Sequence, residues 1–314
     1  MTRLRNVSSF WLMLAALASV FSVAALKTKP APEFPNGGAA LDVSDWSFRK
    51  SVVVSNSGPQ EIELDLDVLS HAQRDFSDLR LMRRDEQIPY LIEPTAAKWS
   101  RNPEVTVTND PQNRTVSRWL IRLPQAHLPV AEIHCDSETP LFERDMSLYE
   151  ILHDADNGDA YQQMLARQTW TKTPNIAVKR FGLTLNPLPL TDTLILETRN
   201  GDNPPIQLTR FQFVYPVTHI LFEGKAGDEL YLYYGNSSVG APHYDLSLIS
   251  GQLRSVAKFA DDLGEEEILK NSMGFEKKFG KVGALFWGIL GLVVVALLAV
   301  IARLLPKSDA QPPK

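Results

Sequence analysis

The chain has 314 residues, 44% hydrophobic and 22% charged, with a formal net charge of −5. That length holds about two ordinary domains with accessory segments, and the composition excludes a disordered or fibrous chain. The acidic balance offers no basic face for nucleic acid, and the single cysteine, Cys135, excludes an intramolecular disulfide or a cysteine-based zinc cluster.

Residues 1–25 begin with Arg3 and Arg5, continue as an apolar run from Phe10 to Val23 and end in small residues. This is the order of a secretory signal peptide; retained, the same run would be an uncleaved anchor. Residues 26–40 contain "KPAPEFPNGGAA", rich in proline and glycine without a periodic face, and read as a linker.

From Trp46 the pattern becomes β. In "QEIELDLDVL" (60–69), Ile62, Leu64, Leu66 and Val68 alternate with Glu61, Glu63, Asp65 and Asp67. A period of two predicts a half-buried strand whose acidic row faces solvent rather than a metal. "SDLRLMRRDEQIPYLIEP" (77–94) predicts a hairpin turning near Asp85-Glu86, with Pro89 favouring an edge position. Residues 41–112 are thus expected to form an N-terminal β-sandwich unit.

Residues 113–245 carry a second β series. Trp119, Ile121 and Leu123 share one strand face, and Ala131, Ile133 and Cys135 share another. Cys135 is therefore predicted to be a buried small hydrophobe, not a nucleophile. Short strands at spacings of roughly ten residues, without long amphipathic helices, predict an antiparallel sandwich or jelly roll. Its last strand places Leu230, Leu232 and Tyr234 on one side, and Gly235-Asn236 closes it.

The period then changes. Leu246, Ile249, Leu253 and Val256 recur at helical spacing, and "GEEEILKN" (264–271) reads as a second short helix. Residues 246–281 are expected to be a membrane-proximal helical stalk, or a surface that packs on the jelly roll or on another membrane protein. Residues 282–305 follow as a transmembrane helix, since Gly283–Ala302 carries no charge over 20 residues, a length of about 30 Å as a helix. Flanking positive charges nearly balance, so orientation rests on the N-terminal signal. The body is expected outside the inner membrane, in the periplasm, and residues 306–314 form a cytoplasmic tail.

No HExxH, GxSxG, P-loop or GxGxxG sequence occurs, and without these signatures the chain does not read as an enzyme. Two loops hold candidate groups. "HDADNGDA" (153–160) offers Asp154, Asp156 and Asp159, an incomplete echo of a calcium loop, built on an Asn157-Gly158 hairpin turn. "RNGDNPPI" (199–206) offers Asn200, Asp202 and Asn203 on a proline-stiffened turn that suits a sugar hydroxyl or a cation, or is structural. Trp170 would stack on a sugar ring or fill the core. No cofactor is expected, calcium being the one weighed.

"DLRLMRRDEQIPYLIEP" (78–94), "NGDNPPI" (200–206) and "LYYGNSSVGAPHYDL" (232–246) resemble stretches of the bacterial family called domain of unknown function 3999. That resemblance, in order over residues 40–305, implies an exported protein with a signal peptide and a C-terminal span. The stretch from "LFERDMSLYEIL" to "FQFVYP" also resembles galactose-binding-like (discoidin-type) jelly rolls, which implies ligand or partner binding, often of carbohydrate. The expected function is that of a membrane-anchored extracytoplasmic binding protein recognising an envelope glycan or a protein partner, with the lipid bilayer met through 282–305. The alternatives are a non-catalytic scaffold subunit of a membrane complex and a glycan-active enzyme using paired carboxylates.

Overall fold

The computed structural model describes residues 34–108, 115–175 and 180–269. The 1–25 signal, most of the 26–40 linker, the 270–281 end of the stalk, the 282–305 span and the tail all lie outside the described residues. Among the described residues no helix is long and apolar enough to cross a membrane.

The chain first forms β1 (Phe48–Val53), β2 (Gly58–Glu63), a short helix α1 (Leu66–His71), β3 (Arg80–Arg83), β4 (Glu86–Gln87) and β5 (Tyr90–Arg101). There follow β6 (Glu104–Thr108), β7 (Val116–Arg122), β8 (Glu132–Ser137), β9 (Phe142–His153), β10 (Ala160–Lys172) and β11 (Arg180–Thr184). Next come β12 (Thr193–Arg199), β13 (Leu208–Gly224) and β14 (Glu229–Tyr234). A 3-10 turn (Asp245–Ile249), α2 (Ser250–Ser255), β15 (Phe259–Asp261) and β16 (Leu263–Ile268) end the described body.

The fold is mainly β and sandwich-like, as the alternation predicts. One sheet runs β16-β1-β14-β3-β4 and a second β10-β9-β12-β7-β6. The third runs β11-β8-β13-β2-β15, with β5 also paired to β13. Their inward faces meet in one apolar core that holds Leu81 and Leu232 of the first sheet, Trp119 and Leu196 of the second, and Phe213 and Ile220 of the third.

The 17-residue β13 organises this arrangement. Leu208–Val214 pairs with β8, His219–Gly224 pairs with β2, and Phe213–Phe222 pairs with β5. Because β5 overlaps both other partners, it must occupy the opposite edge. Pro216 has no amide to donate, and the ladder to β5 shifts register beside it, between Pro216 and Thr218. The ladder to β8 shifts between Thr209 and Gln212, around Arg210 in a left-handed conformation. Both irregularities bend the strand without ending it.

Several expectations hold residue by residue. The β3–β4 hairpin turns where expected, pairing Met82 with Gln87 and Arg83 with Glu86, but from Tyr90 the expected return arm leaves it to pair with β13 as β5. Leu230, Leu232 and Tyr234 enter the core from β14. Cys135 is 1% exposed, and burial, the largest influence, pushes its thiol up to about 12. That is an inert core thiol.

Three expectations need correction. "QEIELDLDVL" is not one strand: β2 stops at Glu63, and Asp65 accepts the Val68 amide at 3.2 Å to cap α1. The period of two carried on by coincidence into a helical turn whose Val68 and Leu69 are buried. Residues 41–112 and 113–245 do not form two consecutive units, because β14 inserts between β1 and β3, and β13 pairs with β2. Nor is the described part of 246–281 a free helical stalk. Leu246 and Leu253 pack on Leu221 of β13 and on Phe34, and "GEEEI" is the edge strand β16 on β1 rather than a helix. The open edge of β1 supplies the pairing that local propensity did not reveal. Gly264 fits there because a Cβ would fall on the Ser51 hydroxyl.

A polar network lies where β1, α1 and β16 meet. Lys50 is 3% exposed, with its Nζ 2.5 Å from Asp65 and 2.6 Å from Asp67. Glu266 of β16 accepts the Tyr234 hydroxyl at 2.7 Å and faces His71 at 2.9 Å. Burial opposes the charges on Lys50 and Asp67. Hydrogen bonds and mutual attraction outweigh it, raising the ammonium and lowering the Asp67 carboxyl from their ordinary values. A carboxyl depressed in the native state stabilises above its ordinary pKa of about 4, and the gain is lost as pH falls through the native value. Lys50→Met is therefore expected to lower the melting temperature at neutral pH, with the deficit narrowing below about pH 4. Thermal melts across that range check it, and an unchanging deficit would contradict the assignment.

Candidate functional site

The loop between β12 and β13 is a built turn. The Asn200 amide donates to the Thr115 carbonyl at 2.7 Å, and the Asn203 amide closes the turn on the Asn200 carbonyl at 3.2 Å. Gly201 takes φ of 58°, a left-handed conformation that costs glycine nothing. Asn200 is 2% exposed and its Nδ2 donates to Ser117 Oγ at 2.9 Å, so it pins the turn to β7. Asp202 and Asn203 remain exposed. On the far side the loop returns to the core at Ile206, and Arg144 donates to the Pro204 carbonyl at 3.4 Å.

Trp170 is not a sugar platform. It is 2% exposed and stacks on Phe181 with ring centroids 5.2 Å apart, because alternation along β10 turns it inward. Asp154, Asp156 and Asp159 are likewise not a calcium site. Asp154 Oδ1 accepts the amides of Asp156 at 2.9 Å and Asn157 at 3.3 Å, and Asp159 is bound to the Asn157 side chain. Gly158 at φ 75° completes the β9–β10 hairpin turn. Among the described residues, no group of three or more His, Cys, Asp or Glu is placed to hold a metal.

What the sequence reading missed is the outer face of the second sheet, beside the turn. The register sets Thr171 opposite Glu143, Thr169 opposite Asp145 and Arg167 opposite Ser147 between β10 and β9. Ser147 lies opposite Glu197 of β12, which lies opposite Arg118 of β7. These outward residues and the turn enclose a groove of about 570 Å³, lined by Glu143, Arg144, Asp145, Ser147, Arg167, Glu197, Arg199 and Asn203 among others. A neighbouring row of Met164, Tyr149, Ile195 and Leu120 makes one border apolar. A larger depression of about 750 Å³, lined by Arg101, Arg122 and Gln212, lies where β5, β7 and β13 converge. Its lining includes Phe213 opposite Arg101 and Glu104 opposite Arg122, and the Asn102-Pro103 link between β5 and β6.

The groove's polar groups are held in place. Arg118 Nε donates to Glu197 at 2.6 Å, and the Tyr149 hydroxyl donates to the same oxygen at 3.1 Å. Burial first, then Glu197, raises the Tyr149 hydroxyl above its ordinary value, so it remains a donor. Thr169 donates to Asp145 at 2.5 Å and Thr171 to Glu143 at 3.3 Å. Only the strand pairing brings these positions together; the one sequence signal was alternation of outward Glu143, Asp145, Ser147 with inward neighbours.

No protein-family model matches the chain, and no curated protein matches it. Among solved structures, the N-terminal tandem CBM22 domain of Paenibacillus barcinonensis Xyn10C is 10% identical over 58% of this chain and 79% of that one, with a TM-score of 0.17. A structure of infectious bursal disease virus, Gx strain, is 9% identical over 81% of this chain and 74% of that one, with a TM-score of 0.16. Likeness of that degree carries no argument about function.

The turn's division of labour is testable. Asn200→Ala, which strips the pin to Ser117, is expected to cost about 1–3 kcal/mol. Asp202→Ala, on an exposed tip, should stay within about 0.5 kcal/mol of the parent. Equal losses in denaturant unfolding would contradict the roles assigned.

Proposed function

We propose that the chain is a membrane-anchored extracytoplasmic binding protein of the bacterial cell envelope, and that the groove on the second sheet recognises a glycan. The groove itself carries this reading. Carboxylates, a serine, an asparagine and guanidinium groups project from adjacent paired strands into one depression. Sugar hydroxyls need donors and acceptors in fixed directions, and a sheet holds such groups with little entropy left to lose on binding. The carboxylates are spent on a guanidinium and on threonine hydroxyls, which suits recognition without turnover.

Anchoring is supported by the sequence alone: the signal-like start, the uncharged run Gly283–Ala302 and the likeness to domain-of-unknown-function 3999 proteins. In that arrangement the body stands outside the membrane and faces envelope polymers.

A second reading has its own observation. Ile151, Tyr161 and Met164 are exposed near the end of the β9–β10 hairpin. An apolar tip of this kind suits a protein partner, as a scaffold subunit of a membrane complex would require.

Ser147→Trp places a large side chain in the groove from an outward position of β9. In the full chain, solubilised in mild detergent, this change is expected to abolish capture on an oligosaccharide array without shifting the melting temperature. Capture retained in a folded Ser147→Trp protein would move the binding surface elsewhere, and no capture by the parent chain would remove the glycan reading.

A further inference from the structure

Three carboxylates and three arginines line the groove, and among the described residues only Glu197 meets an opposite charge, Arg118. Asp145 and Glu143 accept from the neutral hydroxyls of Thr169 and Thr171. The arginines have no carboxylate in contact. Among the described residues Arg199 has no polar partner, and Arg167 has only the neutral hydroxyl of Ser147, at 3.3 Å. Arg144 is 8% exposed and donates to the backbone carbonyls of Glu143 and Pro204, while its buried Nε has no partner. A guanidinium so buried, without a counter-ion in contact, is costly unless an anion approaches. With Glu197 neutralised by Arg118, three arginines stand against two carboxylates around one depression, and this excess of positive charge favours an anionic ligand. Arginine also offers the paired N–H groups that grip a carboxylate in two places.

We propose that the groove takes an acidic saccharide, a reading that rests on the glycan-binding function proposed above. The sugar carboxylate sits between Arg167 and Arg199, and Arg144 supplies positive potential from beneath while bracing the turn through Pro204. Ser147, Asp145 and Asn203 meet the sugar hydroxyls. Neutral sugars would meet the same hydroxyl contacts but leave the guanidinium groups without a counter-charge, and so bind less well.

The test uses the full chain in mild detergent and calorimetric titration. The probes are trimers of galacturonic, glucuronic and mannuronic acid, the methyl esters of each, and acetate alone. At least one acid trimer is expected to bind about tenfold or more tightly than its ester, as charge-assisted hydrogen bonds predict. Binding should weaken with added salt, and Arg167→Gln with Arg199→Gln should bring the acid down to the level of the ester. Acid and ester binding alike, or an acid preference that survives both substitutions, overturns this inference and leaves the glycan reading standing. Acetate binding as tightly as the trimers overturns it in favour of a bare anion site. Failure of every trimer and ester to bind overturns this inference; the glycan reading falls with it only if the parent chain also captures nothing on the oligosaccharide array. Unchanged melting temperature in the variant shows that losses arise in the groove rather than in the fold.

Discussion

Everything in this body hangs on the ladder along β13. One strand supplies partners to β8 and β2 on one edge and to β5 on the other. Its side chains Phe213, Tyr215, Ile220 and Phe222 join a core shared by all three sheets. A shorter strand would leave β2 and β8 with separate partners and the core in two pieces. The hydrophobic gain from burying that surface, about 25 cal/mol per Å², is what holds a strand with two register shifts together. A proline inside it is tolerated because the irregularity beside it absorbs the missing donor.

Long-range closure follows from the same plan. β1 pairs with β14 and β16, so the first sheet is complete only after nearly the whole described chain has formed. Such non-local pairing bears its loop-closure cost before the core compensates for it. β16 shields the edge of β1, and Arg49–Glu267 at 2.7 Å with Glu266 beneath Tyr234 fixes its register. An acidic outer strand also discourages edge-to-edge association. The second sheet presents its groove from β9 and β12, each paired on both sides, and from the edge strand β10.

The fold class was legible because alternation reports burial directly. Trp119, Ile121, Cys135, Leu230 and Leu232 went where a period of two sent them. Partnership between strands was not legible, since one sequence does not say that β14 lies between β1 and β3 or that Glu266 meets β1. The acidic run at Asp65 and Asp67 read as solvated; its actual role is to hold the buried ammonium of Lys50, a residue 15 positions away from Asp65. Of the candidate site residues, Asn203 lies in the groove and Asn200 pins the turn beside it, whereas Trp170 is core. Arg167 and Arg199 carried no motif. Their proximity exists only through the pairing of β9 with both β10 and β12.

Hydrogen exchange read by mass spectrometry at increasing urea tests the central claim, that β13 makes one cooperative body of three sheets. Peptides from β1 and β14 and peptides from β9 and β12 are expected to lose protection at the same urea concentration. Phe213→Ala should lower both midpoints together, by the equivalent of about 3–5 kcal/mol. Loss of protection in β9 and β12 while β1 and β14 remain protected would show two independent units and contradict the account.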